Sequence, residues 1–468
     1  MEPRSRARSG RTCRVLPVVG AFALAAGLLS TAGAAPAATA APAAPADPYA
    51  EAAAVRVDNP YAGARVYVNP EWSARAAAEP GGAAVAGEPT AVWLDFIASV
   101  AGLDGAMGLR DHLDAALEQG ADVVQVVLND LPYRDCDWLM SNAEMWLDEL
   151  PRYRQEFVDP IADILADPAY ADLRVVAVVE PDSLARMVTH TGDRPEATEG
   201  CRQVAANGVY LEGVGYALAR LGTLPNVYPY LDIGNHGQLG FDDTFDAAVE
   251  VMYRAATAAG GTVDAVHGLV TNVAGYAATH EPYFAADDVV DGEPVSEGSG
   301  WLAGNGFADE VPYALAFREA AIERGFDPGI GALVDTSRNG WGGPDRPTGP
   351  GPATTAEEYV EAGRTDRRLH QGNWCNQAGA GLGERPTAAP EPGIDAYAWV
   401  KPPGESDGAS IPLPQENAGF TPLCDPTYTG NAGNGNNPTG ALLAAPPTGR
   451  WFAEHFASLL ANAWPPLP

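Results

Sequence analysis

The sequence is almost without lysine. Lys401 is the single lysine in 468 residues, and arginine fills the other 27 of the 28 cationic positions. Two carboxylates, Glu405 and Asp407, follow it closely. In so arginine-rich a chain, a retained lysine marks a place where a compact ammonium fits and a planar guanidinium does not. The alternative is a surface lysine left by drift, and the neighbouring motifs favour a functional cation.

Long apolar runs are missing after the N-terminus, so no later segment offers the roughly twenty apolar residues of a membrane helix. The N-terminal segment itself begins with several arginines, which are followed by an apolar run at about residues 16–29 and by the small-residue pattern Ala32-Gly33-Ala34. These features predict a secretory signal peptide over residues 1–34, hence an extracellular protein that does not bind membranes once the signal is removed. Residues 35–54, rich in Ala and Pro, predict a disordered lead-in, and residues 55–468 a catalytic domain.

Cysteine is scarce and shows no metal-binding spacing. Cys13 leaves with the signal peptide, and four cysteines remain, Cys136, Cys201, Cys375 and Cys424. An even number in an exported protein predicts two disulfides, for which three pairings are possible. Because no Cys-x-x-Cys or clustered His/Cys spacing occurs, the sequence favours neither a zinc site nor any other metal, and we expect no cofactor.

Positive charge is also scarce. The formal net charge is −33, and removal of the arginine-rich signal peptide makes it more negative. Such a chain repels nucleic acid and anionic membranes, which excludes them as partners. The charge favours a neutral or insoluble partner, although acidity also serves solubility alone.

Short apolar runs alternate with amphipathic segments. The runs predicted as buried parallel strands are 123–128, 174–179, 227–231, 267–271, 331–334 and 397–400. The predicted helices are 145–165, broken or kinked at Pro151 and Pro160, then 205–221, 245–258 and 311–325. This alternation predicts an α/β fold, either a parallel β/α barrel or an open doubly wound sheet.

Polar residues follow the predicted strands, where a barrel places its active site. They are Asp135, Asp182, Asp232, Asn272, Asp335 and the cluster at Lys401. Two long segments rich in Gly, Pro and Asn, 336–395 and 402–440, exceed what connections need. We therefore expect them to form walls or a lid over the site.

Two acids stand where a strand ends, in Glu180-Pro181-Asp182. Burial there would raise a carboxyl pKa, as a general acid requires, but Asp182 or Ser183 could instead cap the next helix. Asp135, if it lies near Asp182, would raise the pKa of the pair by repulsion; its alternative is a surface ion pair with Arg134.

Aromatic residues near the Lys401 cluster have two possible roles. Trp341, Trp374 and Trp399 could stack on sugar rings or lie in the core. Glu405 and Asp407 beside Lys401 offer ligands for sugar hydroxyls and a possible base.

Three separated motifs occur in a fixed order: Leu131-Pro132-x-Arg134-Asp135-Cys136, Glu180-Pro181-Asp182-Ser183-Leu184 and Lys401-Pro402-x-Gly404-Glu405-x-Asp407-Gly408. Together they resemble glycoside hydrolase family 6, the cellobiohydrolases and endoglucanases. The likeness runs from Asn59 to the C-terminal helix near Trp451 and is strongest to bacterial exo-acting cellobiohydrolases.

The resemblance implies a distorted, seven-stranded, TIM-like parallel barrel with long active-site loops, and hydrolysis of β-1,4-glucan with inversion. Asp182 matches the general acid, and Asp135 the acid that raises its pKa and relays a proton. Ser141 matches the serine that holds water, Asp407 the proposed base and Asp232 an acid that supports the site electrostatically. The two carboxyls of an inverting enzyme stand roughly 6.5–9.5 Å apart to admit water.

The resemblance also implies a substrate-binding set. Its members are Lys401, Glu405, Trp374, Trp93, Asn373, Asn272, Gln238 and His236, of which the first four hold the sugar two positions to the non-reducing side of the cut. The implied disulfides are Cys136 with Cys201 and Cys375 with Cys424.

Four positions depart from the family pattern. Asn129 stands where the family has Tyr, Asn235 where it has His, and Gln238 and Phe241 where it has Trp. Asn129 removes a phenol expected near the reacting sugar, and the other changes reduce aromatic stacking on the leaving-group side, which puts the usual crystalline-cellulose substrate in question.

The leading hypothesis is a secreted, monomeric, inverting β-1,4-glucanase that is exo-acting and releases cellobiose. The alternatives are an endoglucanase, a hydrolase of a related β-glucan or xylan, and, more remotely, a non-catalytic polysaccharide-binding protein. No carbohydrate-binding module is visible, so we expect weaker attachment to solid cellulose than in modular relatives.

Overall fold

The computed structural model describes residues 56–103, 105–413 and 419–468. The predicted signal peptide, residues 1–34, and the predicted lead-in, residues 35–54, lie outside the described residues. The account below concerns the described residues alone.

Ten strands and fourteen α-helices are present in the described part of the chain. The strands are β1 (Val92–Leu94), β2 (Val123–Leu128), β3 (Arg174–Val179), β4 (Val227–Asp232), β5 (Gly268–Thr271), β6 (Val289–Val290), β7 (Glu293–Pro294), β8 (Gly331–Asp335), β9 (Thr387–Glu391) and β10 (Ile394–Ala398). The helices are α1 (Pro70–Ala78), α2 (Ile97–Ala101), α3 (Leu109–Gln119), α4 (Leu150–Arg152), α5 (Asp159–Leu165), α6 (Ser183–Thr189), α7 (Glu199–Asn207), α8 (Val209–Leu221), α9 (His236–Leu239), α10 (Asp242–Ala256), α11 (Val295–Gly298), α12 (Glu310–Arg324), α13 (Ala356–Gly363) and α14 (Ala453–Ala461).

The main sheet curls into a distorted barrel. Its order is β1-β2-β3-β4-β5-β8-β10-β9, and every neighbouring pair is parallel except β10 with β9. A parallel bridge between Thr90 and Trp399 joins the β1 end to the β10 end, where the Ala91 N–H donates to the Trp399 carbonyl at 3.1 Å. The predicted parallel barrel of seven strands is confirmed. The antiparallel strand β9 is an addition that the apolar runs did not indicate, since it is mostly exposed.

The strand β2 shows that a central strand of the barrel is buried on both faces. Val124, Val126 and Leu128 pack against the surrounding helices, whereas Val123 and Val127 face the barrel interior. Such two-sided burial is typical of parallel sheets covered by crossover helices. The carboxyl ends of these strands therefore meet at one edge of the barrel, with little water around them.

The predicted strands 123–128 and 174–179 match β2 and β3 in full, and the strand predicted at 397–400 lies at 394–398. The helix predicted at 145–165 begins only at Leu150 and passes through a π-helical segment, Tyr153–Val158, into α5. Pro151 lies in the first turn, where its missing N–H costs nothing, and the wider π turn precedes Pro160. The helical backbone continues through both prolines, and its hydrogen-bonding pattern changes from α to π after Pro151 and back to α at Asp159.

Two disulfides are present among the described residues. They join Cys136 to Cys201 and Cys375 to Cys424, the pairs implied by the family resemblance, over separations of 65 and 49 residues. The second bond ties the loop after β10 to the segment before β9.

Replacing Cys375 and Cys424 together by Ser should lower the free energy of unfolding by about 4 kcal/mol, because the bond closes a loop of 49 residues. Guanidinium denaturation of the variant and of the wild type, each with and without reductant, measures the change. An unchanged midpoint in the variant would contradict the expectation.

Candidate active site at the carboxyl ends of the strands

The polar residues predicted at strand ends do lie there. Asp232 and Asp335 are the last residues of β4 and β8, Glu180 follows β3, and Asn272 follows β5. Because the strands are parallel, these positions share one edge of the barrel.

Glu180 connects the ends of β2 and β3. Its buried carboxylate accepts hydrogen bonds from the backbone N–H groups of Asp130 (3.0 Å) and Leu131 (3.1 Å), and from the Tyr153 hydroxyl (2.9 Å). Burial raises its pKa, and these three donors oppose the rise. With its carboxylate occupied in this way, Glu180 orients the loop after β2.

Asp182 is the accessible acid of the pair, since its side chain is 36% exposed. It precedes α6 with φ 64°, in the left-handed region, and its side chain makes no capping hydrogen bond. The Ser183 hydroxyl bonds to the Glu180 carbonyl at 2.6 Å. The alternative of helix capping by either side chain therefore does not apply. The backbone N–H of Asp182 donates to Asp232 at 2.8 Å.

The environment of Asp182 favours its protonated form. Burial is the largest cause that raises its pKa; the Arg186 charge opposes it, and the carboxylates of Asp137 and Asp407 raise it further. A carboxyl that is accessible and whose pKa is raised has the properties of a general acid.

Asp232 is buried beside Asp182. Besides the Asp182 N–H, it accepts a hydrogen bond from the Gly234 N–H at 3.2 Å. Burial and, next, the nearby Asp182 raise the pKa of Asp232 to about 8, while the two N–H donors act in the opposite direction. Asp232 thus ties the ends of β3 and β4 together.

One arginine faces three carboxylates beside Asp182. Arg186, one turn into α6, lies 2.5 Å from Asp137, 3.2 Å from Asp135 and 3.7 Å from Asp182. Burial raises the pKa of Asp135, Arg186 and Arg134 oppose the rise, and Asp137 and Asp182 add to it. Asp135 therefore lies in the same charge cluster as Asp182, as the sequence predicts.

Asp407 has the opposite environment. Its oxygens accept hydrogen bonds from Arg338 (2.6 Å), the Tyr276 hydroxyl (2.6 Å) and the Asn376 N–H (2.8 Å). Burial alone would raise its pKa, but the charges of Arg338 and Lys401 outweigh burial and lower the pKa below its ordinary value. As the pH rises, Asp407 therefore loses its proton before Asp182 does.

The single lysine is buried near Glu405 and Asp407. The Lys401 ammonium lies 4.6 Å above the Trp93 ring and 3.7 Å from Glu405, and the indole N–H of Trp93 donates to the Val400 carbonyl at 2.8 Å. Burial raises the pKa of Glu405, and Lys401 and Arg75 counteract it. Drift on the surface does not explain a lysine in this position.

A cavity of about 520 Å³ opens beside this group. Trp93 and Phe96 supply aromatic faces to its lining, and Asp95, Glu405 and Asn142 supply polar groups. Apolar faces with a few polar groups are typical of small-ligand sites.

The three tryptophans with alternative roles separate clearly. Trp341 and Trp399 are buried in the core. Trp374 is partly exposed and stacks on Trp138, with ring centroids 5.7 Å apart. Trp374 is thus the member available to a ligand.

Three predicted residues make hydrogen bonds within the protein. Asn373 accepts from the Asn434 amide and donates to the Pro438 carbonyl, both at 2.9 Å. The Asn272 amide donates to the Asp335 carbonyl at 2.8 Å. The Ser141 hydroxyl donates to the Arg134 carbonyl at 2.5 Å and accepts from the Ala143 N–H. Asn373 and Asn272 therefore hold loops, and Ser141 lies on the loop that carries Asp135.

His236 and Gln238 lie on α9, which follows β4. His236 is buried, with Nδ1 2.6 Å from Glu310. Gln238 is partly buried, and its backbone N–H donates to the Asn235 side chain at 3.2 Å. Both residues follow Asp232 closely in the chain.

Several charged or aromatic residues of the site escaped sequence reasoning. They are Asp137, Trp138, Arg186, Tyr276, Arg338 and Asn376. Arg186 stands four residues after Asp182 on a predicted helix, a spacing that brings opposite charges together. That spacing was the available signal, whereas Tyr276 and Arg338 reach Asp407 over long sequence separations that no local pattern reveals.

Among residues 56–103, 105–413 and 419–468, one group has metal-ligand proximity, Cys136, Asp137 and Cys201. Its two cysteines form a disulfide, so their sulfurs are not thiolate ligands. None of the described helices is long and apolar enough to cross a membrane.

Comparison with known proteins identifies the family and the fold. The family profile described as "Glycosyl hydrolases family 6" matches residues 52–463. Exoglucanase A of Cellulomonas fimi is 42% identical over 439 residues, which are 89% of this chain and 49% of that protein. The chain thus spans about half the length of this relative.

Solved structures agree with this assignment. The catalytic domain of Cellulomonas fimi Cel6B superposes with a TM-score of 0.84 at 41% identity, covering 89% of this chain and 97% of that one. Cellobiohydrolase II (Cel6A) of Humicola insolens, in complex with glucose and cellotetraose, has a TM-score of 0.64 at 31% identity, with coverage of 87% and 99%.

Replacing Asp232 by Asn should make the protein more stable relative to wild type as pH rises. The folded pKa of about 8 exceeds the unfolded value of about 3.9, so wild-type stability falls between these pH values by up to about 1.4 kcal/mol per pH unit. Asn cannot titrate and still accepts the two N–H bonds. Urea denaturation of both proteins at pH 5 and pH 8 gives the difference, with the exposed Asp243→Asn as control. A difference that is the same at both pH values would contradict the prediction.

Proposed function

This chain belongs to glycosyl hydrolases family 6, and on that premise we propose that it is a secreted, inverting hydrolase of β-1,4-glucosidic bonds in cellulose, exo-acting and releasing cellobiose. The proposal rests on one observation: two carboxyls at one edge of the barrel have pKa values that are shifted in opposite directions. Asp182 is accessible with a raised pKa, whereas Asp407 is ion-paired with a lowered one. An acid and a base set apart by environment are what inverting hydrolysis requires.

In this proposal Asp182 protonates the glycosidic oxygen as the bond breaks. A water molecule attacks the anomeric carbon from the opposite face, and its proton passes to Asp407, directly or through further waters. Ser141 orients that water. Asp135 repels negative charge on Asp182 and relays a proton back to it, and Asp232 holds the Asp182 backbone in place.

The donor side of the cut is assigned to the Lys401 group. The Lys401 ammonium donates to sugar hydroxyls, Glu405 accepts from them, and Trp374 and Trp93 supply stacking faces. The adjoining cavity is large enough for a sugar unit. This half of the site keeps every residue type that the family resemblance implies.

The acceptor side is assigned to α9 and its neighbours. Asn235 and Gln238 place amides there and Phe241 an aromatic ring, while the buried His236 holds α9 against Glu310. Amides stand there in place of indole rings, so binding of the acceptor sugar depends more on hydrogen bonds and less on stacking.

Exo action is supported by the long loops that follow β8 and β10 and by the similarity to an exoglucanase and a cellobiohydrolase. The Humicola insolens relative was solved with cellotetraose, a β-1,4-glucan fragment. Export is supported by the signal-peptide pattern and by two disulfides, and we propose that the protein acts as a monomer.

Asp182→Asn should lower kcat on cellotetraose by about 10³-fold or more, because the leaving oxygen loses its proton donor. Binding of cellotetraose, measured by calorimetry, should persist, since the amide keeps the side-chain shape. Asp243→Asn, an exposed residue on α10, serves as the matched control. Undiminished hydrolysis by Asp182→Asn would refute the role of Asp182.

The stereochemistry and mode of attack are tested with two substrates. Proton NMR during hydrolysis of cellotetraose should show the α-anomer first, since inversion at a β-linkage yields α, and a β-anomeric product would contradict inversion. On carboxymethylcellulose, exo action should release soluble sugar with little loss of viscosity. A fast fall in viscosity with little sugar would instead identify an endoglucanase.

A further inference from the structure

Arg186 divides its guanidinium among three carboxylates at unequal distances. Its Nε lies 2.5 Å from Asp137, its Nη2 3.2 Å from Asp135 and its Nη1 3.7 Å from Asp182. The Arg186 and Asp137 side chains are each only 11% exposed, so solvent screens this pair little. Asp137 is the nearest partner of a cation that stands directly beside the general acid.

Unopposed, Arg186 would work against catalysis. A cation within about 4 Å of a carboxyl stabilises the carboxylate and removes the proton that a general acid must hold. The distance from Arg186 to Asp182 falls in this range. A second negative charge on Arg186 is therefore needed if Asp182 is to stay protonated near neutral pH.

Asp137 is suited to supply that charge. Asp135 cannot do so fully, because it also faces Arg134. Burial makes the positive charge of Arg186 less favourable and so lowers its pKa. Asp137 has the largest opposing effect of the nearby carboxylates, and together they raise the Arg186 pKa. Among the described residues, Arg186 is the one cation within ion-pair distance of Asp137.

The chain also fixes Asp137 in place. Asp135 and Asp137 flank Cys136, which the disulfide to Cys201 ties to α7. The Cys136 carbonyl accepts a hydrogen bond from the Thr198 hydroxyl at 3.1 Å, just before the same helix. Two carboxylates are thereby held on either side of one covalent anchor, facing the guanidinium.

We propose that Asp137 is a positioning residue that neutralises Arg186 and so keeps the proton on Asp182 for acid catalysis. This inference rests on the proposed function, in which Asp182 is the general acid.

The other groups that face Asp182 do not take over this role. Asp407 is paired with Arg338, and burial favours the protonated form of Asp232. Burial lowers the pKa of His190, so its imidazole is uncharged at neutral pH. Tyr210, which faces Arg186, is neutral because burial raises its pKa. Asp135 and Asp137 are therefore the charges that set the field of Arg186 on Asp182.

The test is the pH profile of kcat/KM for cellotetraose with Asp137→Asn. Without the Asp137 charge, the positive charge of Arg186 acts more strongly on Asp182 and stabilises its carboxylate form. The pKa of Asp182 then falls, so the basic limb of the profile should move to lower pH by about one unit or more. Activity well below that limb should stay close to wild type. An aryl cellobioside with a dinitrophenolate leaving group, which needs no proton, should lose far less activity than cellotetraose at neutral pH.

A double variant and a matched control separate this effect from damage to the fold. The double variant Asp137→Asn with Arg186→Gln removes both charges and should return the basic limb towards its wild-type position. Asp137→Glu keeps the negative charge, so its basic limb should lie at the wild-type position. Asp163→Asn is the control, because Asp163 lies 2.5 Å from Arg220 in an exposed pair that Asp159 also joins. It should leave the profile unchanged.

An unshifted basic limb in Asp137→Asn overturns the inference. So does an equal loss of activity at every pH and with both substrates that the double variant does not restore. If instead the wild type hydrolyses neither substrate, the proposed function itself fails, and the two failures are distinguishable.

Discussion

The structure depends on how buried carboxyl groups are compensated. The parallel strands of the barrel end together, and the acids that follow them meet where little water reaches. Each such acid must hold a proton, accept several hydrogen bonds or face a cation. Glu180 and Asp335 take the second course, and each thereby fixes a neighbouring loop: Asp335 accepts the N–H of Lys401 at 2.9 Å. The geometry of the site follows from satisfying these groups.

Unequal compensation then divides the chemistry. Asp407 receives a guanidinium, a phenol and a backbone N–H, and it remains a carboxylate although it is buried. Asp182 has no such set of donors, is partly exposed and shares its nearest cation with two other acids. The same burial that raises both pKa values is thus overcome at one acid only. The proposed acid and the proposed base differ by their partners, since both are aspartates at one edge of one barrel.

The parts predictable from sequence are those set by local pattern. The runs that became β2 and β3 are continuous and β-branched, and their bounds agree with the structure in full. The helix predicted at 145–165 begins only at Leu150, because Met145 is apolar yet packs into the core from the loop before the helix. Within the site, Asp182 and Asp407 stand in recognisable motifs. Tyr276 and Arg338, which set the state of Asp407, lie 131 and 69 residues from it and left no local signal.

The scarcity of lysine acquires a physical reason in this site. Arg186 presents three nitrogens in a fixed plane, and each meets a different carboxylate, which a single ammonium could not do with the same geometry. Lys401 has the opposite task, because its ammonium stands over the face of Trp93 and beside Glu405, in a space where a broad guanidinium would cover the ring. A fork suits a place where several anions must be balanced against one another. A point charge suits a place that must stay open to a neutral sugar, so the single lysine and the arginines around it are not interchangeable.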